Sequence, residues 1–317
     1  MKLVKYALIA LSILTVSFVA LSFYVTEQMM RPAFYALRTP AQGLIPRDGS
    51  TDPLQDFNIP FESVEFPAVD RQTLRGWFVP GNTDAAAAII TVHGGGTDRR
   101  SYLDMVPVLH EAGYPVLLFD NREHGISDGH GLGMSLGMRE SEDVSSAVDY
   151  LSTRSFSRFG VIGSSQGGTS AIVAAARDQR ITAVIAQSTG TNLADMMSAN
   201  PALRWLPRAA INLMVAHFYY RQGANWPTIR SGGVWPIDVI DKISPRPILI
   251  IHGEFDEMAP LALAEQIYAK AGEPKRFWKV EGAGHRGLRE QARAVYERRV
   301  LDFYREYLPL REQHPSS

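Results

Sequence analysis

The sequence contains no cysteine among its 317 residues. Disulfide scaffolds, thiol nucleophiles and cysteine-ligated zinc or iron–sulfur sites are therefore excluded. It also lacks a surplus of either charge, since 32 basic and 33 acidic side chains leave a formal net charge of −1. A general nucleic-acid-binding protein needs a clear basic surplus, so we expect no nucleic-acid partner.

The apolar residues, 45% of the chain, include one long N-terminal run. The segment from Tyr6 to Val25 carries no charge, and a helix of about 20 residues matches the hydrocarbon thickness of a bilayer. We predict a transmembrane signal anchor over residues 1–26, with the lipid bilayer as its partner. Two alternatives remain open. One is a cleaved signal peptide, whose apolar region is normally about 7–15 residues, and the other is a long buried core helix.

The basic residues that flank the apolar run give its orientation. Lys2 and Lys5 precede it and favour a cytoplasmic N-terminus. Arg31 and Arg38 follow it and weaken that preference. We predict a single-pass protein of the bacterial cytoplasmic membrane with its folded domain outside.

Residues 27–60 are predicted to form a membrane-proximal connector, because five prolines interrupt any long helix there. They are Pro32, Pro40, Pro46, Pro53 and Pro60. From residue 61 to residue 317 the pattern is regular, and we predict one domain.

Short apolar strands alternate with amphipathic helices in this domain. The predicted strands are Phe61–Val69, Thr73–Val79, Ala86–Val92, Pro115–Phe119, Phe159–Ile162, Ile181–Ala186, Pro247–Ile251 and Arg276–Val280. The predicted helices between and after them are Arg100–Ala112, Glu140–Leu151, Gly167–Ala176, Leu261–Ala271 and Leu288–Tyr307. Such alternation predicts an α/β fold, with a mostly parallel central sheet and helices on both faces.

The segment 188–241 is too long for an ordinary connection in such a fold. It is rich in aromatic residues, including Trp205, Trp226 and Trp235, and Ala209–Tyr220 has helical spacing. We predict a helical cap insertion over one end of the sheet. Its aromatic residues either pack on the core or contact a substrate.

The residues GSSQG at 163–167 follow a predicted strand and open a predicted helix. A strand-to-helix turn this tight strains its central residue and admits only small residues two positions away on either side. Ser165 is therefore the candidate nucleophile, and the amide of Gln166 is a candidate oxyanion donor at the helix N-terminus. Ser164 is a weaker candidate because Ile162 stands two positions before it.

The residues HGGG at 93–96 follow another strand. Glycines let the backbone approach a ligand and direct N–H groups at it. Gly95 or Gly96 is expected to supply the second oxyanion donor. Binding of phosphate is the alternative, although the complete phosphate-loop and dinucleotide patterns are absent.

With these motifs the sequence resembles the α/β-hydrolase superfamily of serine-hydrolase type, in the group of esterases, lipases and prolyl-oligopeptidase-like enzymes. The resemblance covers roughly residues 61–308. It also rests on DNREHGIS at 120–127, HGEFD at 252–256 and GAGH at 282–285, which follow in the family's order.

The resemblance implies a catalytic triad in which Ser165 is the nucleophile, Asp256 the acid and His285 the base. Glu254 and Glu257 flank the acid and are its alternatives. A metal cluster of His93, His124, His252 and Asp256 is a further hypothesis, but their spacing matches no local metal motif. We instead expect structural roles for these three histidines, and no metal or cofactor.

The expected function is cleavage of a small-molecule carboxylic ester through an acyl-enzyme. A peptidase or amidase of the same fold is the alternative, and a non-catalytic membrane-anchored binding protein is a third hypothesis. No protein partner is implied.

Overall fold

A computed structural model describes residues 2–31, 51–82, 84–201, 203–223 and 235–311. Five residues used in the sequence-based predictions lie outside these ranges: Pro32, Arg38, Pro40, Pro46 and Trp226.

Within the described residues, eight strands form one sheet. They are Glu62–Pro67 (β1), Thr73–Val79 (β2), Ala87–Val92 (β3), Val116–Asp120 (β4), Arg158–Ser164 (β5), Ile181–Gln187 (β6), Ile248–Gly253 (β7) and Lys275–Val280 (β8). Their order is β1-β2-β4-β3-β5-β6-β7-β8. The first two strands run antiparallel to their neighbours, and the other six are parallel. The parallel strands therefore end at a common edge, where ligands bind in open α/β sheets.

The described α-helices alternate with these strands as predicted. They are Lys2–Met30 (α1), Pro53–Phe57 (α2), Val106–Glu111 (α3), Glu140–Thr153 (α4), Gln166–Arg177 (α5), Leu193–Ala199 (α6), Arg208–Arg221 (α7), Pro236–Val239 (α8), Leu261–Lys270 (α9), Leu288–Gln291 (α10) and Arg293–Tyr307 (α11). Helices α6, α7 and α8 occupy the segment predicted as a cap.

Two of the predicted helices are interrupted. In place of one helix over Arg100–Ala112, a 3₁₀ helix over Arg99–Met105 precedes α3. Pro107 explains the change, because it has no N–H to donate and its ring would collide with a carbonyl in a continuous α-helix. The predicted helix over Leu288–Tyr307 breaks at Ala292, where φ is −140° and ψ is 41°.

The two faces of the sheet pack against separate hydrophobic cores. Successive residues of a strand point to opposite faces. In β3, Ile90 and Val92 join the core formed with α4 and α5, whereas Ala87 and Ile89 join the core formed with α3 and α11. The sheet is thus covered on both sides, which explains why its parallel strands are almost wholly apolar.

Helix α1 is long and apolar enough to cross a membrane, over Val4–Met30. Only 6% of its most apolar 18-residue window is buried, so the alternative of a buried core helix is wrong. The helix continues past the predicted boundary at residue 26, and its last turns pack on the cap. Phe23 stacks on His217 of α7 with ring centroids 4.1 Å apart, and the Met30 side chain is completely buried.

A buried ion pair fastens the loop after β4 to the rest of the domain. The Arg122 guanidinium donates to Asp143 of α4 at 2.7 and 2.9 Å, and both side chains are almost completely buried. It also donates to Asp70, in the turn between β1 and β2, at 2.9 Å. One side chain therefore joins a loop, a helix and a hairpin.

We predict that Arg122→Ala lowers the free energy of unfolding by about 3–5 kcal/mol, because Asp143 is left buried without its ion-pair and hydrogen-bond partner. Chemical denaturation of the full chain in detergent micelles measures this loss. Arg311→Ala is the control, since its pair with Asp84 is exposed, and such pairs contribute about 0–1 kcal/mol. Equal losses in the two variants would contradict the prediction.

Candidate active site

The turn between β5 and α5 holds Ser165 in a strained conformation, with φ of 55° and ψ of −118°. The two flanking glycines are required for steric reasons. A β-carbon at Gly163 would lie 2.1 Å from the carbonyl oxygen of Gly167, and one at Gly167 would lie 2.0 Å from that of Val92. This close packing presents the Ser165 hydroxyl at the N-terminus of α5.

Ser165, His285 and Asp256 form a hydrogen-bonded row at the carboxyl edge of the sheet. His285, in the loop after β8, places Nε2 3.0 Å from Ser165 Oγ. Its Nδ1 lies 2.9 Å from both carboxylate oxygens of Asp256, which follows β7. Because a carboxylate only accepts hydrogen bonds, Nδ1 carries the proton and Nε2 is left to accept the proton of the serine. The structure thus brings together the three side chains that the sequence singled out.

Asp256 is buried, and its surroundings favour the charged form. Burial raises the pKa of this carboxyl, but hydrogen bonds from His252, His285 and the backbone N–H of Ala259 outweigh that effect and lower the pKa to about 2. The N–H groups of Met258 and Ala259 donate to Oδ1 at 3.0 and 2.8 Å. The carboxylate is therefore fixed both in charge and in position.

The alternative acids lie elsewhere. Glu254 accepts from Lys279 Nζ at 2.8 Å and from the Gly282 N–H at 3.1 Å. Glu257 is exposed. Of Glu254, Asp256 and Glu257, the residue whose carboxylate contacts His285 is Asp256.

The glycines after β3 lie beside the nucleophile. The Gly96 N–H donates to His124 Nε2 at 3.2 Å, so this amide already has an acceptor within the protein. Gly95 is therefore the better candidate for the second oxyanion donor, a choice that the sequence left open. His124 is held in turn by its Nδ1 contact with the Arg122 carbonyl at 2.8 Å.

The three histidines expected to be structural all contact backbone atoms. His93 Nε2 accepts from the Asn121 N–H at 3.0 Å, and His252 Nε2 lies 2.6 Å from the Ala259 carbonyl. With His124 they tie three loops of the site together. The part of the chain that the structure describes contains no group of three histidine or acidic side chains arranged to hold a metal ion.

Sequence reasoning missed two side chains next to the oxyanion loop. A β-carbon at Gly95 would lie 2.8 Å from Met134 Sδ and 3.3 Å from Gln166 Oε1. The Gln166 side-chain amide is buried, and it has no hydrogen-bond partner among the described residues. No motif marks Met134, because it reaches Gly95 only through the folding of a loop distant in sequence.

Comparisons with known proteins agree with this architecture. A family model described as serine aminopeptidase, S33, matches residues 83–227. The uncharacterized protein YfhR of Escherichia coli (strain K12) is 30% identical over 252 residues, which cover 76% of this chain and 80% of that protein. This chain belongs to the α/β-hydrolase superfamily. The superfamily and fold class predicted from sequence are thereby confirmed.

Two further α/β-hydrolase comparisons extend the coverage. The uncharacterized protein YqkD of Bacillus subtilis (strain 168) is 25% identical over 314 residues, which cover 94% of this chain and 97% of that protein. The Pyrococcus furiosus esterase Pf2001 has the same fold, with a TM-score of 0.65 and 22% identity. That match covers 82% of this chain and 97% of the esterase chain.

The pKa of Asp256 in this α/β-hydrolase predicts a pH dependence of stability. A folded-state pKa of about 2 lies below the ordinary value of 3.8. The charge therefore stabilises the folded chain above about pH 4, and this contribution is lost as the pH falls towards 2. The difference in free energy of unfolding between the native protein and Asp256→Asn should shrink as the pH falls from about 4 towards 2. Denaturant titrations across this range measure the difference, with the exposed Asp302→Asn as control, and a difference that does not change with pH would refute the assignment.

Proposed function

We propose that this α/β-hydrolase is a membrane-anchored serine hydrolase that cleaves carboxylic esters through an acyl-enzyme. The observation that carries the proposal is the hydrogen-bonded row from Ser165 through His285 to Asp256. A serine hydroxyl is a weak nucleophile at neutral pH, and this arrangement supplies the neighbouring base that it needs.

The mechanism follows from the positions of these groups. Ser165 Oγ attacks the substrate carbonyl carbon while His285 Nε2 takes its proton, and Asp256 stabilises the resulting imidazolium. The N–H groups of Gln166 and Gly95 bind the oxyanion. His285 then gives the proton to the leaving alcohol. Water, activated by the same imidazole, attacks the acyl carbonyl, so the acid is released and Ser165 is regenerated.

Esters are the first choice of substrate, and amides the second. The fold likeness to an esterase, and a methionine beside the oxyanion loop, favour an apolar ester. The matching family model is described as serine aminopeptidase, which keeps short peptides and amides as the alternative. Phe218, Tyr219 and Trp235 support neither choice, because they are buried inside the cap, whereas Trp205 and Tyr220 of the cap are exposed.

Membrane anchoring is the second part of the proposal. The first turns of α1 present apolar side chains to the outside, as expected for a helix surrounded by lipid. They include Val4, Leu8, Ile13, Val16 and Leu21. Lys2 and Lys5 favour a cytoplasmic N-terminus and hence a hydrolase domain outside the cytoplasmic membrane. A signal sequence is the alternative for the same helix.

A fluorophosphonate probe tests the nucleophile. We expect stoichiometric labelling of the native protein, and complete loss of labelling and ester hydrolysis in Ser165→Ala. Ser164→Ala is the matched control and should be labelled, because its neighbour keeps the contact with His285. An intact protein that neither reacts with the probe nor hydrolyses esters would leave the non-catalytic hypothesis, and hydrolysis that survives in Ser165→Ala would refute Ser165 as the nucleophile.

A panel of nitrophenyl esters and matched acyl nitroanilides tests the substrate class. We expect kcat/KM for each ester to exceed that of its amide partner, and to rise with acyl length over the shorter chains. Measurement in detergent micelles keeps α1 in place. Faster turnover of the amides at matched acyl groups would reverse the assignment in favour of a peptidase or amidase.

A further inference from the structure

We propose that the last turn of α1 positions the oxyanion loop, and that it acts through Met134. The inference rests on the proposed function, because it assigns a role within the same site. It makes the N-terminal helix a working part of the hydrolase, in addition to any role in attachment to a membrane.

The first step is the docking of α1 on the cap. Glu27 forms an ion pair with Arg221 of α7 and lies 3.2 Å from Nε2 of His217 in the same helix. Phe23 stacks on His217, and two turns further along α1 Met30 lies in the apolar core of the cap. Because charged and apolar contacts lie on the same face of α1, the end of this helix has a fixed position on the domain.

The second step is a loop clamped to the end of α1. We call residues 131–137 the glycine loop. The Met134 N–H donates to the Met30 carbonyl at 3.0 Å, and Arg31 donates to the Gly131 carbonyl at 3.2 Å. From the other side, the buried Gln222 amide donates to the Met134 carbonyl at 3.2 Å. The backbone of Met134 is therefore held between the end of α1 and the end of α7.

The third step leads from this loop to the oxyanion loop. Met134 Sδ lies beside Gly95, since a β-carbon at Gly95 would come within 2.8 Å of it. His124 holds the neighbouring Gly96 from the other side. The oxyanion loop thus has two neighbours, His124 at Gly96 and Met134 at Gly95, and the second is tied to α1. Oxyanion donors must be placed within a fraction of an ångström to stabilise the transition state.

Two glycines of the same loop allow a matched test. Gly133 has φ of 73°, and a β-carbon there would lie 2.4 Å from the Met30 carbonyl oxygen. Gly131 has φ of 72°, and a β-carbon there meets nothing within 4 Å. Alanine imposes the same backbone strain at both positions, but only Gly133→Ala pushes the glycine loop away from α1.

The measurement is hydrolysis of p-nitrophenyl acetate by the full chain in micelles, with kcat expressed per site titrated by fluorophosphonate. This normalisation removes any unfolded fraction. We expect Gly133→Ala to lower kcat about tenfold, part of the 10²–10³ lost when one oxyanion donor is removed, with KM changed less than twofold. Gly131→Ala should keep the native kcat.

A second pair of variants keeps the test decisive if Gly133→Ala does not fold. Met134→Ala removes the side chain that meets Gly95 and should lower kcat per titrated site to a similar extent. Met134→Leu keeps its volume and should restore most of the rate. A native kcat in Met134→Ala, or equal kcat values in Gly131→Ala and a folded Gly133→Ala, would overturn the inference.

These outcomes are distinct from failure of the proposed function. If the positioning role is wrong, the native protein and all four variants hydrolyse the ester alike and remain sensitive to Ser165→Ala. If the proposed function is wrong, the native protein itself resists the probe or hydrolyses esters independently of Ser165.

Discussion

The close packing of the first turn of α5 against the end of β3 is the constraint on which the site depends. Gly167 rests on the Val92 carbonyl with no space for a side chain, and Gly163 rests on Gly167 in the same way. This contact strains Ser165 and exposes its hydroxyl. It also brings the glycines that follow β3 next to Ser165, since a β-carbon at Gly94 would lie 3.5 Å from the Ser165 β-carbon. The candidate nucleophile and the candidate oxyanion loop therefore meet at one interface.

Buried carboxyl groups and their hydrogen-bond donors hold the loops around this interface in place. Loops at the edge of a sheet lack ladder hydrogen bonds, so side chains must supply the connections. Arg122 joins its loop to α4 through Asp143, and Asp120 accepts from the backbone N–H groups of Arg99 and Ile126 at 2.8 and 2.9 Å. Asp256 is held by backbone N–H groups and two histidines. Each carboxyl group is buried and has hydrogen-bond donors around it, as buried polar groups require.

Contacts between residues close in sequence could be predicted, whereas few of the contacts between residues far apart in sequence could. Strand periodicity and the glycine spacing around Ser165 reflect contacts within one element or one turn, so they could be predicted from residue types. Ser165 and His285 are 120 positions apart, and their pairing could be predicted only because motifs in a known order resemble a family. The contact of Glu27 with Arg221 spans 194 positions. It lies outside any motif, as does the approach of Met134 to Gly95, and so neither could be foreseen.

Helices α1 and α7 run side by side in the same direction, and this would affect how a membrane-bound form of the protein encounters its substrate. Phe23 faces His217 and Glu27 faces Arg221, so the two helices advance side by side. The nine residues from Ser22 to Met30 that accompany the cap span about 13 Å of helix. With the preceding turns in a bilayer, the domain could not swing on a loose tether. Ser165, the proposed nucleophile, would then stay at one height above the lipid headgroups, and the encounter rate would follow the density of substrate in that plane and not its concentration in bulk solution.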